Sequence, residues 1–128
     1  MKPVVVLAVL ALTAPPALAC DEQPPPVNLV ATPSVKAGLT AAYVHVHRDR
    51  PHARPAPGRT WYGRFGGYEF AVATFAAHPS VFSRPPRGRW TLDRDTRGAV
   101  CDDVVPAQLL AITWHYRYRS GSCWVEPR

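Results

Sequence analysis

The side chains that could do chemistry in this chain are few, and most stand alone. His45 and His47 form an H-x-H pair, with His52 close behind in a proline-rich stretch. On a strand both imidazoles would share one face and could hold a metal ion. The apolar spacing around them favours a helix, where residues two apart diverge by ~200°, so surface histidines are expected and no metal site is assigned. Glu69, Asp93, Asp95 and His115 are the titratable groups that a small hydrolase would draw on, but no spacing singles them out. Asp102-Asp103 is a paired acid of the kind glycosidases use. It also stands just before Pro106, where a helix start would favour negative charge. Arg84, Arg87 and Arg89 flank Pro85-Pro86 and Gly88. Three guanidiniums on one tight turn could grip phosphate or carboxylate groups bidentately, which makes them the candidate anion-binding residues. The competing reading is a solvated turn: arginines outnumber lysines 13 to 2 across the chain, a bias that needs no ligand. The chain has no GxGxxG, P-loop, CxxC or HExxH motif. Catalytic residues, cofactor and metal are all left unassigned.

Three cysteines complete the inventory: Cys20, Cys101 and Cys123. Their spacing matches no common zinc pattern. Met1-Lys2-Pro3 is followed by the apolar run Val4 to Leu12, then Pro15-Pro16 and Ala17-Leu18-Ala19. That order is the basic start, apolar stretch and small-residue cleavage site of a secretory signal. The run is too short to span a bilayer. Cleavage after Ala19 would leave Cys20 at the new N-terminus. Ala17 followed by Leu18 suits the ordinary signal peptidase, so soluble secretion is expected. The alternative is a lipid on Cys20 and anchorage outside the cell membrane, which would account for the odd cysteine. In an exported protein disulfides persist, and Cys101 with Cys123 is the expected pair.

The elements that must position these residues follow from the apolar pattern. Residues 1–19 are the signal peptide, 20–31 a Pro-rich extended tether, and 32–128 a single domain. Thr32-Pro33 is a helix start. Val35, Leu39, Ala42, Tyr43 and Val46 follow on one helical face, and the helix should end between Arg48 and Arg50. Pro51 to Arg59 reads as a loop. Gly66-Gly67 between two aromatic runs is a two-residue hairpin signal. It places Phe65 opposite Tyr68, Arg64 opposite Glu69, Gly63 opposite Phe70, Tyr62 opposite Ala71 and Trp61 opposite Val72. Arg64 and Glu69 become a cross-strand ion pair.

A third strand is expected over Ser80 to Arg84 and a fourth at Trp90-Thr91-Leu92, followed by a polar connection over Asp93 to Gly98. A short helix should run from Pro106 to Ala111. A strand with alternating aromatic and basic residues should begin at Trp114, and Cys123-Trp124-Val125 should pair back on it. The fold expected is α+β: an N-terminal helix packed on an antiparallel β-meander, a short second helix and a C-terminal hairpin.

Several segments resemble a group of small, uncharacterised secreted proteins of actinobacteria. They are Arg59 to Phe75, Val81-Phe82-Ser83-Arg84-Pro85, Gly88-Arg89-Trp90, Asp95-Thr96-Arg97-Gly98-Ala99-Val100-Cys101 and Val105-Pro106-Ala107. The resemblance covers about residues 33 to 114 and implies export and architecture but no activity. Relatives often carry a second glycine where this chain has Arg97, so no role is carried over to that turn.

With 128 residues, 15 prolines and 19% charged residues, the chain can form one domain with a real core. Large multidomain enzymes, nucleotide machines and repeat scaffolds are disfavoured. The net charge of +6 suits a non-enzymatic extracellular or envelope module that binds an anionic polymer or another protein. A small secreted hydrolase is the alternative. Nucleic acid is disfavoured by export and by an arginine bias that looks like GC-rich coding and needs no ligand.

Overall fold

The computed structural model describes residues 24–128. The expected signal peptide (residues 1–19) and Cys20 lie outside them. The architecture is α+β. A two-residue strand β1 (Val27–Asn28) leads into helix α1 (Pro33–Val46). A meander follows: β2 (Pro55–Phe65), β3 (Tyr68–Phe75), β4 (His78–Arg84) and β5 (Thr91–Asp95). These five strands form one antiparallel sheet in the order β1-β2-β3-β4-β5. The chain then makes β6 (Ala99–Cys101), a π-helix (Gln108–Thr113), β7 (Arg117–Ser120) and β8 (Cys123–Val125), with the last three strands ordered β6-β8-β7. No helix among the described residues is long and apolar enough to cross a membrane.

Helix α1 begins where Thr32 and Pro33 direct it. The Thr32 hydroxyl accepts from the Val35 N–H at 3.3 Å, satisfying one of the free donors of the first turn. Val35, Leu39, Ala42 and Tyr43 are buried. Val46, expected on the same face, is not: it is the last residue of the helix and 56% exposed.

The hairpin register is the one that Gly66-Gly67 dictates, from Phe65↔Tyr68 to Trp61↔Val72. Both glycines have positive φ. Alternation then sends residues to two faces. Tyr62, Ala71, Ala73, Phe75 and Phe82 pack under α1 with Trp90. Val72 and Val81 face the other way and meet Val100, Val105, Leu109, Leu110, Trp114 and Tyr116. The sheet is therefore a wall between two cores, one closed by the helix and the other by the C-terminal strands and the π-helix. Gly63 is needed where the second core closes. A Cβ there would lie 2.8 Å from Leu109 Cδ2 and 2.9 Å from the Val27 carbonyl oxygen.

Several boundaries differ from the sequence expectation. The segment 20–31 is not a bare tether throughout: Val27 and Asn28 pair with Arg64 and Gly63, and the Trp114 indole N–H donates to Asn28 Oδ1 at 3.2 Å. Strand β2 begins at Pro55, inside the expected loop, and its register shifts between Pro55 and Thr60. This is how a strand accommodates Pro57 and Gly58, the latter at φ 70°. Strand β5 extends through Asp93-Arg94-Asp95 instead of giving way to a connection. The second helix lies at Gln108–Thr113 and is wound as a π-helix. The aromatic–basic strand starts only at Arg117: Trp114 ends the π-helix, and His115, at φ 57°, turns the chain before the strand begins.

Cys101 and Cys123 stand opposite one another in the β6·β8 pairing and form a disulfide, with Cα atoms 3.9 Å apart.

Candidate functional site

Strand pairing brings charged residues of three strands into one row. Glu69 on β3 has Arg64 of β2 opposite it on one side and Arg84 of β4 on the other. The second neighbour follows from the two-residue turn Ala76-Ala77, which sets Phe75 against His78 and so counts back to Glu69 against Arg84. All three point to the α1 face, beyond the helix, beside the buried Tyr62. Glu69 Oε1 accepts from the Tyr62 hydroxyl at 2.8 Å and from Arg64 Nη2 at 3.1 Å. Its Oε2 accepts from Arg84 Nε.

Burial by itself would raise the Glu69 carboxyl. The hydrogen bonds from Arg84, Tyr62 and Arg64 outweigh it and hold the group below the ordinary carboxylate range. Burial raises the Tyr62 phenol, and the adjoining carboxylate adds to the effect. Glu69 is thus an ionised, fully engaged carboxylate. It is more than the exposed hairpin pair expected from the sequence, because its side chain is only 15% exposed.

Arg84 is the hinge of the arrangement. One side of its guanidinium meets Glu69, and the group lies 4.7 Å from the centroid of Trp90, a cation–π contact. The chain then turns through Pro85-Pro86-Arg87-Gly88, closed by the Gly88 N–H on the Pro85 carbonyl at 2.9 Å. Arg87 sits in this turn at φ 58° and is exposed, as is Arg89. Neither makes an ion pair among the described residues.

Two depressions adjoin the turn. One, of about 420 Å³, is lined by Arg64, Glu69, Arg84, Arg87 and the prolines. The other, of about 680 Å³, runs between α1 and the start of β5 and is lined by Arg84, Arg89 and Trp90 among others. Arg84 and Gly88 line both. The three arginines read from the sequence therefore gather at one place but do not share one role: Arg84 is built into the fold, whereas Arg87 and Arg89 face solvent. Arg64 is the addition that sequence reasoning missed, although the hairpin register already placed it beside Glu69.

The other candidates are dispersed. His47, the residue that ends α1, meets Asp95 Oδ2 through Nε2 at 2.7 Å, and the Ser80 hydroxyl donates to Asp95 Oδ1 at 2.7 Å. The carboxylate stands between the hydroxyl and the imidazole, so the histidine does not reach the hydroxyl and this is not the order of a Ser-His-Asp nucleophile. Asp93 falls where the β4·β5 register shifts, and His115 lies on the turn after the π-helix. No hydrogen bond joins Glu69, Asp93, Asp95 and His115 to one another among the described residues.

Asp102 and Asp103 do not serve as the expected helix-start charges. Asp103 takes a two-pronged pair from Arg94, at 3.0 and 2.9 Å, and Asp102 donates its backbone N–H to the Ser122 carbonyl. At the C-terminus Glu126 accepts from the Trp61 indole and from Arg59, tying the last residues to β2. No group of three or more His, Cys, Asp or Glu converges among the described residues.

Set against family models, curated proteins and solved structures, the chain finds no match.

Proposed function

We propose that the protein is an exported, non-enzymatic binding module that recognises anionic groups at the β4–β5 turn. The observation that carries this reading is the convergence of Arg64, Arg84, Arg87 and Arg89 on two adjoining depressions against a single carboxylate, Glu69. A guanidinium already paired and stacked, like Arg84, is held in place before a ligand arrives. Less conformational freedom is then lost on binding. Export rests on the signal sequence. Release after cleavage before Cys20 is the preferred form, with lipid attachment at Cys20 as the alternative. An anionic polymer of the envelope is the fitting partner.

The hydrolase alternative would have to use Glu69. Both of its oxygens are taken up by Tyr62, Arg64 and Arg84, an arrangement that suits holding arginines better than moving protons.

The test is binding of polyphosphate, a generic polyanion, to the purified protein at low and at physiological salt. Binding should weaken steeply as screening shortens the reach of the charges to about 8 Å. The double variant Arg87→Gln/Arg89→Gln should lose most of it while melting as the parent does. Equal binding by parent and variant would refute the site.

A further inference from the structure

The larger depression has a composition that anion recognition alone does not call for. Its walls are Ala41, Ala42 and Val46 of α1 and Leu92 of β5, and Trp90 lies against them. Its lining includes Arg84, Arg89 and His45 but no carboxylate. Glu69, which pairs with Arg84, lines the smaller depression and not this one. One end of the cleft is therefore cationic and the remainder mostly apolar. A volume of about 680 Å³ is in the range of small-molecule clefts.

Two details of packing belong to the same place. Val46, the apolar residue of α1 that misses the core, is 56% exposed and lines the cleft. Trp90 is buried to all but 9%, and its indole N–H finds no acceptor among the described residues. The indole edge lies directly under Gly38, where a Cβ would come within 2.6 Å of Cδ1 and 3.3 Å of Nε1. A buried donor without a partner is uncommon in native structures, and Gly38 and Trp90 both line the cleft.

We propose that this cleft takes an amphipathic anion, with a phosphate or carboxylate held by Arg84 and Arg89 and an apolar chain lying along Ala41, Val46 and Leu92 beside Trp90. The inference rests on the anion-binding reading of the turn and adds the apolar body of the ligand. An acidic peptide fits less well. Its backbone N–H and C=O groups would be desolvated against apolar walls with few partners, whereas an alkyl chain carries no such groups.

The probe is decyl phosphate below its micellar concentration, followed by the Trp90 indole N–H resonance. Methyl phosphate and decanol serve as the two half-ligands. Decyl phosphate should shift the Trp90 resonance and bind at least about tenfold more tightly than either half-ligand, since several methylenes leave water. Arg89→Gln should weaken it about three- to tenfold through loss of one charge-assisted contact. Ala41→Glu, at an exposed position of α1, should abolish it with no change in melting.

Vesicles of phosphatidylcholine with and without phosphatidic acid separate the sources. Co-sedimentation only with phosphatidic acid identifies a lipid in the bilayer, and binding of the monomer alone identifies a free ligand. Decyl phosphate binding no more tightly than methyl phosphate would overturn the inference and leave the anion site standing, provided that polyphosphate still binds. Loss of both would remove the anion site as well. Unchanged binding in folded Ala41→Glu, or a glutamate-rich peptide shifting Trp90 at lower concentration than decyl phosphate, would also overturn it.

Discussion

Glu69 shows how one carboxylate can order three strands. It ties β2 through Arg64 and β4 through Arg84, and it satisfies the hydroxyl of buried Tyr62. Replacing it by glutamine removes charge-assisted bonds worth about 1.5–3 kcal/mol, and chemical denaturation near pH 7 should show a loss of that size. The pH dependence has a definite sign. Because the folded carboxyl lies below its ordinary value of 4.5, the stabilisation is complete above that value and is lost as pH falls through the depressed one. The gap between parent and Glu69→Gln should therefore narrow as pH falls below 4.5; a gap that widens in acid would refute the account. Arg84 and its neighbours separate in the same measurement. Arg84→Gln should cost about 1–2 kcal/mol, through the lost pair and the lost stacking on Trp90. Arg87→Gln and Arg89→Gln together should stay within about 0.5 kcal/mol of the parent. From the sequence these three arginines look equivalent. What distinguishes them is the pairing of β4 with β3, set by the turn Ala76-Ala77. Alanine carries no turn signal, and Ala76 adopts φ 54° against its preference, so the row Arg64–Glu69–Arg84 was only half legible.

The elements with strong local signals form as the sequence directs. Thr32-Pro33 starts α1 and Gly66-Gly67 fixes the first hairpin, because each prescribes a backbone conformation by itself. Leu39 is fully buried between α1 and the sheet. Leu39→Ala should cost about 2–5 kcal/mol, read from the denaturation midpoint at unchanged slope. The C-terminal third was less legible. The alternation of Trp114, Tyr116 and Tyr118 has the period of a strand, yet the first two are placed by the π-helix and by the positive φ of His115. Its three strands are short, three or four residues each, and the disulfide joins two of them. Changing Cys101 and Cys123 to serine should cost about 2–5 kcal/mol, measured by thermal melting. An unchanged melting temperature would make the bridge incidental.

At the scale of the whole molecule, the sheet has two apolar faces and each is covered by a different part of the chain. Helix α1, which covers one face, precedes the meander in the chain. The opposite cover comes last: Val105, Leu109, Leu110, Trp114 and Tyr116 all follow β5, and the final clasp is Glu126 on Trp61 and Arg59. A chain ending after residue 98 should retain α1 and the meander but expose Val72 and Val81. It should bind a hydrophobic dye and aggregate where the full chain stays monodisperse; a clear, dye-silent fragment would contradict this. This order of closure bears on biosynthesis. A polypeptide made from its N-terminus leaves the Val72–Val81 face of its sheet without this cover until Tyr116 has emerged. A stop before Val105 would remove Val105, Leu109, Leu110, Trp114 and Tyr116 together and leave that face bare for good.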